Sequence, residues 1–265
     1  MKNNKALGQH WLNNRVILNE IADLACHGVK TDVDVGGAER CSSKKDKLCV
    51  EIGPGLGTLT SSLLKRFDKV VAIEFDKRLA DNLPKSFPGK NLEVINGDFL
   101  ETDLGFIEGD FVIVGNIPYY ITSPIIRKVL TLDRPAKRVV LLVQKEVAER
   151  LADKKETMLS LFVKNRADVK LGPVVKKEEF VPPPKVDSQV VVFEPHEPTV
   201  GEEVFDLVQR GFMAPRKKLV HNLAGIVSNE KLLKILSESG IDANARPGDL
   251  RLKEWEKIYN ELKVN

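Results

Sequence analysis

The sequence predicts an α/β fold: a mostly parallel, seven-stranded sheet with helices on both faces, followed by a small helical domain. Three observations predict it. Short apolar runs alternate with helical stretches over the first two-thirds of the chain. A glycine-rich turn follows the first of these runs and opens a helix. Pro195 and Pro198 then mark a linker, beyond which apolar positions recur at helical spacing. The predicted domains are 1–198 and 199–265.

Each element has a local reason. Arg15 to Cys26 places Val16, Ile17, Ile21, Leu24 and Ala25 near helical spacing and reads as an amphipathic helix. Residues 34–47 are polar, carry Gly and Ser, and read as an inserted surface loop. Leu48–Ile52 is a short buried strand, and a helix follows the glycine turn to about Arg66. Lys69–Glu74, Leu92–Asn96, Phe111–Gly115 and Arg138–Gln144 read as further strands, separated by helices or long loops, which implies parallel pairing through crossovers. Asp168–Val175 and Ser188–Glu194 are extended, with Pro182-Pro-Pro184 between them, and predict an antiparallel pair at the sheet edge. From Glu202 on, Val204, Phe205, Val208 and Phe212 argue for the helical tail.

Composition narrows the class. A chain of 265 residues buries a real core without covalent staples. Cys26, Cys41 and Cys49 are odd in number and form no C-x-x-C pair, so neither a disulfide framework nor a zinc site is expected. Apolar runs such as Val139–Val143 are far shorter than the roughly 20 residues of a membrane helix. The opening MKNNKALGQHW has no apolar core of a secretory signal. The expectation is a soluble, cytoplasmic protein. With 41 Lys and Arg against 38 Asp and Glu, the net charge of +3 says nothing about partners. Locally, residues 164–177 and 209–222 each sum to +4.

The glycine turn reads Glu51-Ile-Gly53-Pro-Gly55-Leu-Gly57. Glycines there let a ligand approach the backbone. A dinucleotide fingerprint is G-x-G-x-x-G, whereas here glycine falls at every second residue. This spacing resembles that of S-adenosylmethionine-dependent methyltransferases and implies a Rossmann-like sheet. Glu74 ends the second strand, 23 residues after Glu51, where a carboxylate can accept both ribose hydroxyls. Asp98 follows the third strand, where an acid can accept an adenine amine with Phe99 against the ring. Each acid alone also reads as a solvated or capping carboxylate; three successive strand ends together fit an adenosyl pocket.

Asn116-Ile117-Pro118-Tyr119 follows the fourth strand and resembles the Asn-x-Pro-Tyr form of amino-methyltransferases acting on adenine N6 or similar planar amines. An amine conjugated to a purine is a poor nucleophile, because its lone pair is delocalised. Two acceptors on its N–H groups, the Asn116 side-chain oxygen and the Ile117 carbonyl, draw the nitrogen toward tetrahedral geometry. Pro118 stiffens the turn, and Tyr119 offers a π-face to an extruded base. No general base near neutrality is needed, since the proton leaves a cationic nitrogen. The plain alternative is a strand-end turn with two packed tyrosines.

In this order the motifs resemble the ribosomal RNA small-subunit adenine N6,N6-dimethyltransferase family. The likeness runs from Leu7-Gly8-Gln9-His10-Trp11-Leu12 through the glycine turn, Glu74, Gly97-Asp98-Phe99 and Asn116–Ile125. It continues in Phe180-Val-Pro182-Pro-Pro184-Lys-Val186-Asp187-Ser188 and ends in Pro215-Arg216-Lys217-Lys218-Leu219, like the basic helix of the family's small domain. Trp11 stands where Phe is usual, and Tyr120 where many relatives have Asn or Gln.

The resemblance implies an S-adenosylmethionine cofactor, leaving as S-adenosylhomocysteine, with no metal. It implies cofactor contacts from Gln9, His10, Leu12, Glu51, Gly53, Gly55, Gly57, Glu74, Asp98, Phe99 and Asn116. Asn116, Ile117, Pro118 and Tyr119 are the implied catalytic residues, with Phe180 facing Tyr119 across the target adenine. The implied substrate is a pair of adjacent adenines in the terminal hairpin loop of small-subunit RNA, within an immature particle. Arg216, Lys217 and Lys218 would contact RNA phosphates, and a monomer is expected. Three alternatives stay open: a macrolide-resistance type of large-subunit adenine methyltransferase, a non-catalytic ribosome-assembly factor, and a small-molecule methyltransferase.

Overall fold

The structure, a computed structural model, describes residues 9–27 and 48–263. The 34–47 stretch and Leu7-Gly8 lie outside the described residues. In chain order the elements are β1 (Trp11–Leu12), α1 (Arg15–His27), β2 (Leu48–Ile52), α2 (Thr58–Leu63), β3 (Lys69–Glu74), α3 (Lys77–Ser86), β4 (Leu92–Asn96) and β5 (Phe111–Asn116). Next come α4 (Thr122–Val129), β6 (Arg138–Gln144), α5 (Lys145–Ala152), α6 (Met158–Arg166), β7 (Ala167–Val175), β8 (Phe180–Val181) and β9 (Ser188–Pro195). The tail holds α7 (Glu202–Gly211), α8 (Leu219–Asn222), α9 (Asn229–Glu238) and α10 (Leu252–Lys263).

Seven strands form one sheet in the order β4-β3-β2-β5-β6-β9-β7. Pairs from β4 to β6 are parallel, and β9 runs antiparallel to β6. The extended stretches predicted at the edge, β7 and β9, are hydrogen-bonded neighbours there. The inner strands β2, β3, β5, β6 and β9 are buried on both faces, which explains their unbroken apolar runs. Cys49, Val70, Val114, Val140 and Val192 share one face, in a core with Leu18, Ile21 and Ala22 of α1 and Leu59 and Leu63 of α2. The opposite parity, Val50, Val71, Ile113, Val139 and Val191, is equally buried. Strand order reverses between β2 and β5, the switch point at which such sheets bind ligands.

A separate two-stranded ribbon pairs β1 with β8 antiparallel, Trp11 opposite Val181 and Leu12 opposite Phe180. Side chains alternate sides along it. Leu12 and Phe180 therefore turn inward together, and Val181 turns out to solvent.

The chain divides into two compact units, and the division differs from the expected one. The first comprises the described residues to Ala148 with Asp168–Pro195; the second takes Glu149–Ala167 together with the described residues from His196. The sequence pattern predicts 149–167 as part of the first domain. Its helix α6 packs instead on α7: the Phe162 and Phe205 rings meet edge to face at 6.4 Å, and the Arg166 guanidinium lies 4.4 Å over Phe162 and pairs with Glu202. Asn165 closes the seam through Val200 N–H at 2.8 Å and Thr199 Oγ1 at 2.9 Å. Among the described residues no helix is long and apolar enough to cross a membrane.

Candidate active site

One cavity opens at the carboxyl ends of β2, β3 and β5. Its floor is the glycine turn, where Gly53, Gly55 and Gly57 all have positive φ. A Cβ on Gly53 would meet nothing within 4 Å. A Cβ on Gly55 would stand 3.0 Å from Trp11 Nε1, so the indole lies against the turn.

Two carboxylates line this floor. Glu51 is 1% exposed and accepts the Thr60 hydroxyl at 2.7 Å. Burial pushes its carboxyl up to about 8, the Thr60 hydrogen bond opposes that shift, and the Glu74 charge adds to it. Glu74 accepts Gly55 N–H at 3.0 Å on one oxygen and Asp76 N–H at 2.8 Å on the other. Its carboxyl is also raised, by burial first, against those backbone donors. A carboxylate has about four acceptor positions, so Glu74 retains lone pairs for a ligand. Asp98 accepts Leu100 N–H at 2.8 Å on Oδ1.

The Asn116–Tyr119 turn is held by three segments. Asn116 ends β5, and its Nδ2 donates to the His10 carbonyl at 3.0 Å. A carbonyl only accepts, so the amide nitrogen faces His10 and Oδ1 is left to accept from elsewhere. His10 is itself held, its Nδ1 donating to the Pro182 carbonyl at 2.8 Å. Pro118 sits at φ −60° and leads into a single 3-10 turn, Tyr119–Ile121. The Tyr119 hydroxyl pairs with Ser188 Oγ at 2.7 Å. Burial, countered by that hydrogen bond, raises the phenol pKa and keeps it a neutral ring.

The structure brings most of the predicted site together. Gln9, His10, Leu12, Glu51, Gly53, Gly55, Glu74, Asp98, Phe99, Asn116, Ile117, Pro118 and Tyr119 all line the cavity. Two predicted residues stand elsewhere. Gly57 is a packing position: a Cβ there would fall 2.7 Å from Leu83 and 2.8 Å from Phe87. Phe180 is 2% exposed and belongs to the hydrophobic core, because the ribbon's alternation pairs it with Leu12. The ring facing Tyr119 is His10, stacked at 6.0 Å with an interplanar angle of 21°. The Phe180–Ser188 run thus reaches the site through the Pro182 carbonyl and the Ser188 hydroxyl.

Sequence reasoning missed Phe75 and underused Trp11 and Tyr120, which line the same cavity. Phe75 and Tyr120 are exposed aromatics at its rim. Phe75 directly follows Glu74, a position the strand-end logic could have flagged. Among the described residues no group of three or more His, Cys, Asp or Glu is placed to hold a metal.

The two basic stretches part company. In 164–177, Lys164 pairs with Glu156, Arg166 with Glu202, Lys170 with Glu194 and Lys176 with Asp187. Arg216, Lys217 and Lys218 are exposed and line a second, open cleft with His221, Asn222 and Arg246. The resemblance implied a basic helix; these residues instead precede α8 in a connecting segment. Arg246 was not predicted, because it lies 28 positions beyond Lys218.

The model of the family described as ribosomal RNA adenine dimethylase matches residues 1–264. A protein of Dehalococcoides mccartyi named ribosomal RNA small subunit methyltransferase A is 37% identical over 100% of this chain and 90% of its own length. Among solved structures, a dimethyladenosine transferase from Plasmodium falciparum superposes with a TM-score of 0.75 at 29% identity, covering 96% of this chain and 99% of that one. The 23S rRNA methyltransferase ErmE also reaches 0.75, at 25% identity, over 96% of this chain and 98% of its own. With fold, cavity and family model in agreement, the chain belongs to the ribosomal RNA adenine dimethylase family.

Proposed function

We propose that this protein transfers methyl groups from S-adenosylmethionine to N6 of two adjacent adenines in the 3′-terminal hairpin loop of small-subunit rRNA, producing N6,N6-dimethyladenosines within an immature small subunit. The observation that carries the reading is the orientation of Asn116. Its amide nitrogen is committed to the His10 carbonyl, so an oxygen acceptor remains at the end of β5, in the cavity that also holds Glu74 and Asp98.

The cavity's donor set suits the cofactor. Glu74 and Asp98 keep lone pairs for ribose hydroxyls and an adenine amine, Phe75 and Phe99 offer apolar rings, and Gly53 leaves open space. When bound, S-adenosylmethionine supplies an electrophilic methyl carbon on a sulfonium. The chain's own residues prepare the acceptor. Asn116 Oδ1 and the Ile117 carbonyl accept hydrogen bonds from the amine N–H groups and localise the nitrogen lone pair, and a proton leaves after the methyl group has been transferred. Tyr119, pinned by Ser188, supports the extruded base. Rate comes mainly from positioning. An unpaired loop is the favourable substrate, because its bases are already free to splay out.

Incubating unmethylated small and large subunits with labelled cofactor, then mapping modified nucleotides by mass spectrometry, tests the reading. Dimethyladenosine at two neighbouring positions of the small-subunit RNA is expected. Label confined to large-subunit RNA would assign the activity carried in the name of ErmE, and no label on either RNA would leave only an assembly role.

A further inference from the structure

Lys128 lies in the last turn of α4 and is absent from the cavity lining. Its ammonium does not serve its own helix terminus. It donates to the Leu100 carbonyl at 2.8 Å and the Thr102 carbonyl at 2.7 Å, and stands 5.3 Å from the centre of the Phe99 ring. Those carbonyls belong to the loop that presents Asp98 and Phe99 to the cavity. Inside the loop, the Asp98 carbonyl accepts Thr102 N–H at 2.9 Å and Thr102 Oγ1 at 2.7 Å, while Asp98 Oδ1 accepts Leu100 N–H. The direction of the Asp98 carboxylate is therefore set by this tight turn, and one ammonium from another element closes the turn. Burial lowers the Lys128 pKa and the charges of Asp98 and Asp103 oppose that shift, as befits a cation held among carbonyls and a ring. Helix α4 starts at Thr122, directly after the Tyr119–Ile121 turn. Lys128 thus ties the element that carries the target-base turn to the loop that would read the cofactor's adenine.

We propose that Lys128 is a positioning residue for cofactor binding: it holds the Asp98–Thr102 loop in register with the adenine ring without touching the ligand. This rests on reading the cavity as the S-adenosylmethionine site. Charge-assisted hydrogen bonds to two carbonyls are among the stronger local constraints, and an apolar side chain of similar length removes both.

The test uses the full chain as wild type, Lys128→Met and Lys128→Arg. S-adenosylhomocysteine affinity is measured by titration calorimetry, and amide hydrogen exchange is followed across Leu100–Thr102. Lys128→Met should weaken binding about tenfold and speed exchange in that loop, and Lys128→Arg should recover most of both. A Lys128→Met affinity within roughly twofold of wild type overturns the proposal, even if that variant melts earlier, because a merely structural lysine would lower stability alone. Wild-type protein that binds no S-adenosylhomocysteine overturns the cofactor reading itself. Wild-type binding with an unaltered methionine variant overturns only the role of Lys128.

Discussion

Single side chains at this site are defined by what their neighbours have already taken. Asn116 has its nitrogen committed to His10, Tyr119 its hydroxyl to Ser188, and Glu74 two lone pairs to backbone N–H groups. What remains is the chemistry offered to a substrate. Glu51 carries a thermodynamic signature of the same logic. Burial holds its folded pKa at about 8, above the ordinary glutamate value of 4.5. Below pH 4.5 both folded and unfolded chains hold the proton. Between 4.5 and about 8 the unfolded chain has lost it and the folded chain has not, so stability falls as pH rises through that window. Glu51→Gln keeps an acceptor for Thr60 and removes the titration. Denaturant unfolding should show the variant gaining on wild type by up to about 1.4 kcal/mol per pH unit from pH 5 to 8, then levelling off. A pH-independent difference would contradict burial of a protonated Glu51.

At the scale of elements, the ribbon of β1 and β8 shows where sequence reading stops. The parallel strands were legible because each is a short apolar run between turn signals, and β2, β3, β4 and β6 have the bounds that the runs predict. The acids at strand ends were legible because sheet topology puts successive strand termini side by side. The facing of Phe180 was not, since it depends on a two-residue ribbon whose register, Leu12 opposite Phe180, pairs positions 168 apart. A motif match carried the aromatic identity but not the direction of the ring. The same limit hid Arg246 and the packing of α6 on α7, both fixed by long-range contacts. Phe180→Ala should therefore act as a core deletion, costing about 3–5 kcal/mol of stability by thermal or denaturant unfolding. A stable Phe180→Ala protein that lost only RNA turnover would restore the base-clamping role expected from the sequence.

For the whole molecule, we propose that cofactor and target base occupy the cavity of the first unit, and that RNA backbone follows the cleft of the second. Replacing Arg216, Lys217 and Lys218 with Gln should weaken RNA binding and flatten its salt dependence by roughly 0.7 in log–log slope per lost single-strand phosphate contact. S-adenosylhomocysteine affinity should be unchanged in that variant, and an unchanged salt slope would remove the cleft from the RNA path. The paired charges of 164–177 should contribute little to either measurement. In the proposed reaction an amide oxygen at the end of β5 activates the adenine nitrogen. Single-turnover methyl transfer to unmethylated small subunits by Asn116→Ala, measured beside its S-adenosylhomocysteine affinity, tests it most directly. The rate should fall by about a thousandfold or more, with a far smaller change in affinity and a folded chain. Transfer at the wild-type rate would show that Asn116 Oδ1 does not activate the amine.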